Sequence, residues 1–249
     1  MRKPTILIVN DDGIYGPGLR PLIQSLKKIG SVTIVVPDQE RSADSHGLTL
    51  HKPLRVREVS KDFYILNGSP ADCARFGILE ILKEEAHLVA SGINQGFNMG
   101  EDVVYSGTVA AAMEATQLKI PAFAISQGIG PRQNYDVAAQ FARRLAQQML
   151  RRGLPDGIAL NVNVPNASRE RARPTLVTRL GKRVYGKKVT VRSDPRGHQY
   201  FWLTGKNVLG IALPGSDVAA IGQNSISVTP LHIDNTDLQT IHLLKKWDL

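Results

Sequence analysis

The chain has 249 residues, of which 42% are hydrophobic and 21% are charged, and this is enough material to bury the core of one large α/β domain. The composition excludes disordered, collagen-like and mucin-like proteins, and the longest apolar runs have only the length of a β-strand, so no membrane span is expected. The formal net charge is +9, but residues 1–125 carry 13 basic and 14 acidic side chains, whereas residues 126–249 carry 18 and 8.

Strands and helices alternate along the first two thirds of the chain. Short runs rich in apolar and β-branched residues predict strands at 5–9, 32–36, 54–59, 63–66, 87–90, 121–126 and 157–164. Helical spacing and start signals predict helices at 18–28, after Ser69, from near Thr108, and at 134–152. The repeated strand–helix–strand order implies a three-layer, Rossmann-like α/β fold in which helices flank a mostly parallel sheet on both faces.

Beyond about residue 165 the pattern changes to turn signals and short alternating strands, which are predicted at 176–179, 189–192 and 200–203. We therefore predict one domain over 1–249, with a Rossmann-like core over about 1–165 and a β-hairpin arm with further C-terminal elements over about 166–249. A last helix is predicted at 237–246, with Asn235 or Thr236 as its cap.

The predicted arm is strongly basic. It carries ten Lys and Arg between Arg169 and Arg196, against Glu170 and Asp194. Such a segment fits a nucleic acid, an anionic substrate or a solvated surface, and composition does not choose among them.

The single cysteine bears on the location of the protein. Cys73 cannot form a disulfide within the chain, which points to a reducing compartment. The first residues lead directly into a predicted strand and leave no room for the apolar region of a signal peptide. We therefore expect a cytoplasmic protein.

Three polar clusters follow predicted strands, at residues 10–13, 41–42 and 91–100. In an open α/β sheet, ligands bind at the carboxyl ends of the strands, where the strand order reverses. The clusters therefore predict a ligand site that is built from three separate loops.

Two adjacent carboxylates, Asp11 and Asp12, follow the first predicted strand and precede Gly13. A turn there lets both carboxylates approach one point, and such proximity is unfavourable unless a cation lies between them. Carboxylate, hydroxyl and amide oxygens suit Mg²⁺ or Mn²⁺ rather than zinc. The alternative is that one of the two caps the following helix. Capping needs only one aspartate, so the second one favours a metal site.

The residues Tyr105, Ser106, Gly107 and Thr108 form a turn that opens an alanine-rich helix. Backbone N–H groups, two hydroxyls and a glycine that permits close approach make this helix start a candidate anion site. An ordinary Ser or Thr N-cap is the alternative. The first strand is not followed by G-x-G-x-x-G and the chain has no Walker A sequence, which disfavours a dinucleotide site and a P-loop.

Six runs, in order along nearly the whole chain, resemble the SurE family of survival-protein nucleotidases. They are IVNDDG at 8–13, NGSPADC at 67–73, SGINQGFNMGED at 91–102, YSGTV at 105–109, LNVNVP at 160–165 and SVTPL at 227–231. The resemblance implies a metal-dependent phosphomonoesterase that acts on nucleoside 5′-monophosphates and often on 3′-monophosphates, and some members of the family shorten polyphosphate. It also implies homodimers or homotetramers that exchange C-terminal elements, with no stable nucleic acid partner and no membrane.

The resemblance also implies site residues. By motif match, one Mg²⁺ or Mn²⁺ per subunit would be held by Asp11, Asp12, Ser42 and Asn94. The phosphate would be held by Asn98, Ser106, Gly107 and Thr108, and the catalytic residues would be Asp11, Asp12, Asn98 and Ser106. The expected reaction is in-line attack on phosphorus by water that the metal activates.

Two other classes of function stay open on the residues alone. One is a nucleic-acid-binding module that uses the basic arm at 169–196, with a steep salt dependence. The other is a metal-dependent sugar-nucleotide transferase, which would share the sheet and the acidic pair but would need an acceptor.

Overall fold

The structure is a computed structural model and describes residues 3–166, 173–184, 189–203 and 209–248. The strands are β1 Thr5–Val9, β2 Ser31–Pro37, β3 Val56–Ser60, β4 Phe63–Leu66, β5 Leu88–Gln95, β6 Ala122–Gln127, β7 Ile158–Val164, β8 Arg173–Val177, β9 Lys182–Val184, β10 Thr190–Ser193, β11 Gln199–Trp202, β12 Leu209–Ile211 and β13 Ser225–His232. The helices are α1 Leu19–Leu26, α2 Pro70–Phe76, α3 Gly107–Gln117, α4 Asp136–Arg152, α5 Asp217–Gly222 and α6 Leu238–Leu244, with a π-helical turn at Gly77–Ile81 and a 3₁₀ turn at Gly100–Val104.

Nine strands form one sheet in the order β3-β4-β2-β1-β5-β6-β7-β13-β8. In this order, all neighbouring strands from β4 through to β7 pair parallel. By contrast, β3 pairs antiparallel with β4, and β13 pairs antiparallel with β7. The direction in which successive strands are added reverses between β1 and β5, and this is where Rossmann-like folds have their ligand crevice. The predicted α/β fold with a mostly parallel sheet is confirmed.

Helices cover both faces of the sheet because its central strands are apolar on both sides. In β1, Ile6 and Ile8 pack in the layer with α1 and α4, whereas Leu7 and Val9 pack in the layer with α2 and α3. All four side chains are fully buried. Successive side chains of a strand point to opposite faces, so an apolar run without polar alternation indicates a strand between two helical layers.

Two predicted helix starts are confirmed, because Ser69 and Ser106 each cap the helix that follows. The Ser69 hydroxyl accepts a hydrogen bond from the Asp72 N–H (3.0 Å), and the Asp72 carboxylate accepts one from the Ser69 N–H (2.9 Å). Ser106 caps α3, where its hydroxyl accepts a hydrogen bond from the Val109 N–H (3.1 Å). All three bonds satisfy N–H groups that have no partner within the helix.

The cap predicted for the last helix is wrong. Asp237, rather than Asn235 or Thr236, caps α6, and its carboxylate accepts hydrogen bonds from two N–H groups of the first turn (2.9 and 3.1 Å). All three residue types favour this position, so local sequence did not decide which of them begins the helix. Within the described ranges, no helix has both the length and the apolar character needed to span a membrane.

The predicted hairpin arm is confirmed in part. β10 and β11 form an antiparallel two-stranded sheet, and β9 and β12 form another. The strand predicted at 176–179 does not belong to a hairpin. The corresponding strand, β8, lies at the edge of the main sheet and pairs parallel with β13. Leu176 pairs with Ser227, and hydrophobic alternation carries no signal for a partner so distant in the sequence. Among the basic residues of the arm, Arg169, Arg171, Lys187, Lys188 and Lys206 lie outside the described residues.

Candidate active site

Loops from three neighbouring strands meet at the crevice between β1 and β5. Asp11 and Asp12 follow β1, Ser42 lies in the loop after β2, and Asn94 is near the end of β5. Since β1 pairs parallel with both β2 and β5, all three loops lie at the carboxyl edge of the sheet. The predicted polar clusters therefore lie at one edge of one crevice.

Asp11 is the most enclosed of the predicted metal ligands, with 4% of its surface exposed. Its carboxylate accepts a hydrogen bond from the Thr108 hydroxyl, and its main-chain oxygen accepts one from the Arg41 N–H (2.8 Å). Gly107 is so close that a Cβ there would lie 3.1 Å from the Cβ of Asp11. Burial raises the pKa of Asp11, and the hydrogen bond from Thr108 offsets only part of that rise. The start of α3 and the loop after β2 thus both contact Asp11, the first at its carboxylate and the second at its main chain.

Asp12 adds a second negative charge to the same place. Burial, and then the charge of Asp11, raise the pKa of Asp12 to about 7, although the Gln95 N–H at the end of β5 donates a hydrogen bond to it. The Oδ2 atom of Asp12 is buried without a hydrogen-bond partner. Buried oxygens without a partner are uncommon in proteins, and this one fits the coordination needs of a cation.

The capping alternative for the acidic pair is wrong. Gly18 occupies the N-cap position of α1, and no side chain caps this helix. A tight turn separates the pair from the helix, in which the Gly16 N–H donates to the Gly13 carbonyl (3.1 Å). The two carboxylates therefore do not stabilise the helix start.

The four predicted metal ligands offer oxygen donors of the kinds that a hard cation prefers. Among the described residues there is no cluster of three or more His, Cys, Asp and Glu side chains, and the predicted set has only two carboxylates. Asn94 donates its amide N–H to the Gly96 carbonyl (3.0 Å), and this bond leaves the amide oxygen for a cation. Ser42 is exposed and donates its hydroxyl to Glu40 (2.7 Å). Oxygen donors of these three types suit Mg²⁺ or Mn²⁺.

The start of α3 is both a capped helix and a candidate anion site. The hydroxyl of Ser106 accepts the capping bond from Val109, and this bond leaves its hydrogen for a ligand. The hydroxyl of Thr108 is fully buried and donates to Asp11. Any contact of Thr108 with phosphate would therefore come from its main chain rather than from its hydroxyl.

Asn98 is held by three buried side chains, none of which was predicted as a site residue. Its N–H donates to Oδ1 of Asn163 (2.9 Å), and its carbonyl accepts from the amides of Asn163 (2.9 Å) and Asn161 (2.8 Å). Its side-chain amide donates to the Ser126 hydroxyl (2.8 Å). All three partners have no exposed surface. The position of Asn98 is thus set by β6 and β7, not by its own loop.

The sequence indicates that β7 makes a buried polar contact, but not which residue it contacts. Asn161 and Asn163 alternate with apolar residues in β7, and buried amides need hydrogen-bond partners. The alternation therefore indicates a polar contact on one face of the strand. Its target is Asn98, 63 and 65 residues earlier in the chain, which is not readable from local sequence.

A buried carboxylate connects the C-terminal part of the chain to the loop after Asn98. Asp217 has no exposed surface, and it accepts hydrogen bonds from the N–H groups of Gly100 (2.9 Å) and Gly181 (2.7 Å). Gly100 has a φ of +54°, a conformation that glycine adopts without strain. The sequence alone indicates no role for Asp217.

The loop that carries Ser42 is anchored to α3 by a second buried carboxylate. Glu114 is 1% exposed and lies 2.8 Å from Nε2 of His46 and 2.7 Å from Nε of Arg75. Burial would raise the pKa of Glu114, but the hydrogen bond from His46 and the charge of Arg75 outweigh it, so that the pKa is lowered. This contact holds the loop against the helix whose start faces Asp11.

Sequence comparison identifies the family. The sequence model of the family described as Survival protein SurE matches residues 6–187. The chain is 45% identical over 245 residues to the 5′-nucleotidase SurE of Geobacter sulfurreducens, covering 98% of this chain and 94% of that protein. It is 46% identical over 243 residues to the 5′-nucleotidase SurE of Pelobacter propionicus, covering 97% and 98%. The chain belongs to the SurE family.

Structural comparison agrees with the SurE assignment. The crystal structure of the SurE protein from Aquifex aeolicus aligns with a TM-score of 0.85 and 39% sequence identity, covering 98% of this chain and 100% of that chain. The resemblance predicted from the six sequence runs is therefore confirmed, and the SurE fold extends over the C-terminal strands as well as the Rossmann-like core.

Proposed function

We propose that this SurE chain is a divalent-metal-dependent 5′-nucleotidase, which hydrolyses the phosphate ester of nucleoside 5′-monophosphates. The observation that carries the proposal is the convergence of Asp11 and Asp12 with the start of α3. A cation held by the acidic pair would lie next to N–H groups that attract phosphate. The names of the relatives from Geobacter sulfurreducens and Pelobacter propionicus, both 5′-nucleotidase SurE, support the same activity.

The proposed metal ligands are Asp11, Asp12, Ser42 and Asn94, with one Mg²⁺ or Mn²⁺ per subunit. When bound, the cation supplies Lewis acidity and an activated water as nucleophile. Asp11 and Asp12 supply the negative charge that retains it. Their burial makes mutual repulsion costly in the absence of a cation, so the pair is expected to favour the metal-loaded state.

The proposed phosphate ligands are Asn98, Ser106, Gly107 and Thr108. The Asn98 amide, the Ser106 hydroxyl and the N–H groups at the start of α3 would bind the non-bridging oxygens of the phosphate. Donors held in place before the reaction stabilise the charge that develops on those oxygens in the transition state. The buried partners of Asn98 hold it in this way.

The test is phosphate release from AMP, GMP, CMP and UMP in the presence of Mn²⁺, Mg²⁺ or EDTA. We expect release with a metal and none with EDTA, and no release from any of the four would overturn the proposal. A sugar-nucleotide transferase would release little phosphate without an acceptor. A nucleic-acid-binding module would bind nucleic acid with a steep salt dependence and without any effect of EDTA.

We further propose activity on nucleoside 3′-monophosphates and on polyphosphate, with no stable nucleic acid partner. The 3′-isomers and polyphosphate, added to the same phosphate-release assay, test these two activities. The basic second half of the chain supports the use of polyphosphate, because it attracts extended anions. A cytoplasmic location is proposed from the single cysteine, Cys73, which is buried.

A homodimer or homotetramer is proposed from the C-terminal surface. The exposed large apolar side chains there include Leu203, Leu238, Leu243 and Trp247. A groove of about 770 Å³ lies between α3 and β13, with Met113 and Leu231 in its lining. Exposed apolar surface of this kind marks an interaction site. Light scattering that gives the monomer mass of 27.2 kDa at all concentrations would contradict the proposed oligomer.

A further inference from the structure

The turn after the acidic pair presents an aromatic side chain to solvent. Tyr15 is 91% exposed, which is the highest exposure of any large hydrophobic side chain among the described residues. It follows Asp12 by three positions and lies in the loop between β1 and α1. Since Tyr15 has almost no contact with the rest of the chain, its ring contributes little to the stability of the fold.

The backbone that carries Tyr15 is held close to Asp12. The Gly16 N–H donates to the Gly13 carbonyl (3.1 Å), and the Asn10 side chain donates to the same carbonyl (2.8 Å). A Cβ at Gly16 would lie 2.6 Å from the Cβ of Asp12, so the residue next to Tyr15 packs directly on Asp12. The ring is therefore attached to an ordered turn beside the candidate metal site.

Two further exposed side chains lie around the same edge of the sheet. Tyr105 is 58% exposed and immediately precedes Ser106, and Ile129 is 70% exposed and follows β6. A Cβ at Gly96, in the loop that leads to Asn98, would lie 4.0 Å from Cδ1 of Ile129. The polar candidate site thus has a rim of apolar side chains, which suits a ligand with one anionic end and one flat, apolar end.

We propose that Tyr15 binds the base of the nucleotide substrate. The base stacks on the Tyr15 ring while the phosphate lies at the acidic pair and the start of α3. The inference rests on the proposed nucleotidase function and adds the part of the site that contacts the leaving group. Stacking on an aromatic ring is tolerant of base identity because every base has a π-face. The site is therefore expected to accept purine and pyrimidine nucleotides alike.

The test compares AMP and CMP with ribose 5-phosphate, which keeps the sugar and the phosphate but lacks the base. Tyr15→Ala is expected to raise KM for both nucleotides about ten-fold, equivalent to about 1.4 kcal/mol, and to leave kcat and KM for ribose 5-phosphate unchanged. Tyr15→Phe keeps the ring and should behave as the unmodified protein. Tyr200→Ala removes another exposed tyrosine, on β11 in a separate two-stranded sheet, and should change neither substrate.

Two results would overturn the inference. One is an unchanged KM for the nucleotides in Tyr15→Ala, and the other is an equal rise in KM for nucleotides and ribose 5-phosphate. Calorimetric titration of AMP and of ribose 5-phosphate into the protein in EDTA, where no turnover is expected, measures the same preference. Absence of phosphate release by the unmodified protein would overturn the nucleotidase proposal. In that case, tighter binding of AMP than of ribose 5-phosphate that is lost in Tyr15→Ala would still support base stacking. Equal binding of the two ligands by the unmodified protein would overturn base stacking.

Discussion

Asp11 and Asp12 are held together at an electrostatic cost. Burial raises the pKa of both carboxyls, and the charge of Asp11 adds to the rise at Asp12, whose pKa is about 7. Neither side chain offsets this cost by capping α1. Residues that reduce the stability of a fold without an evident structural return are commonly those that bind a ligand, and the pair has this property.

Asp11→Asn is expected to abolish phosphate release and to leave the fold intact. The amide can still accept the hydrogen bond from Thr108, but it lacks the charge that holds a cation, and it removes the repulsion with Asp12. Phosphate release from AMP with Mn²⁺, together with thermal unfolding, measures both effects. Asp62→Asn, on the turn between β3 and β4, is the matched control and should keep full activity. An Asp11→Asn protein with most of its activity would contradict the metal site.

Glu114 gives a stability contribution that depends on pH. Its pKa in the folded protein is lowered below the usual 4.5, so the ionised form is favoured by folding. The stabilisation is therefore fully present above pH 4.5, and it is lost as the pH falls through the lowered pKa. Glu114→Gln should cost about 1–3 kcal/mol of unfolding free energy at pH 7, and the difference should shrink at pH 3.

Urea unfolding of both proteins at pH 7 and pH 3 measures this difference. Glu80→Gln is the control, because Glu80 also lies 2.8 Å from a cation, Lys83, but both side chains are well exposed. An exposed pair contributes at most about 1 kcal/mol. A penalty for Glu114→Gln that does not change with pH would show that its charge has no part in stability.

The elements of the fold determine where the candidate phosphate ligands lie. Asn98 is held from β7 through Asn163 and Asn161, and Gly100, two residues later, is held from the start of α5 through Asp217. The loop after β5 is therefore positioned by strands and helices that follow it in the chain. A loop held by buried polar partners keeps its donors in place before a substrate binds.

Asn163→Ala is expected to lower kcat for AMP about ten-fold or more, because it removes both hydrogen bonds between its side chain and the Asn98 main chain. Asn166→Ala, just beyond the end of β7, is the matched control and should keep its activity. Kinetics on AMP should show the loss mainly in kcat if Asn98 acts on the transition state. An unchanged kcat with lowered thermal stability would mean that Asn163 has only a structural role.

At the scale of the whole molecule, charge and chemistry are segregated. The acidic pair lies in residues 1–125, which are nearly neutral, whereas residues 126–249 carry 18 basic and 8 acidic side chains. A field of this kind attracts extended anions more than small ones, because more charges interact at once. We therefore propose that the basic half attracts the substrate and takes no part in the chemical step.

Neutralising Arg171, Arg173, Lys187 and Lys188 to Gln is expected to weaken polyphosphate hydrolysis about ten-fold and to change AMP hydrolysis less than about two-fold. The control neutralises Lys27 and Lys28, which directly follow α1, and Arg151 and Arg152 at the end of α4, and so removes the same charge from the core. Initial rates on both substrates at low and high salt measure the effect. Equal losses on both substrates, or none on either, would show that the arm is only a solvated surface.

Much of the architecture was predictable from sequence because its signals are local. Apolar runs identified the buried strands, Ser69 and Ser106 marked the starts of α2 and α3, and the turn chemistry indicated the β10–β11 hairpin. The acidic pair and its position after a strand predict a metal site, and this stays a prediction. The six SurE-like runs indicated the family, which the sequence model of the family confirms.

Only the tertiary structure decided the contacts between distant parts of the chain. It put β8 and β13 in the main sheet, joined Asn163 to Asn98, and showed that neither aspartate caps α1. It also left Tyr15 exposed beside Asp12. The physical reason is range: periodicity and capping act within a few residues, whereas pairing, burial and pKa depend on neighbours that only the completed fold brings together.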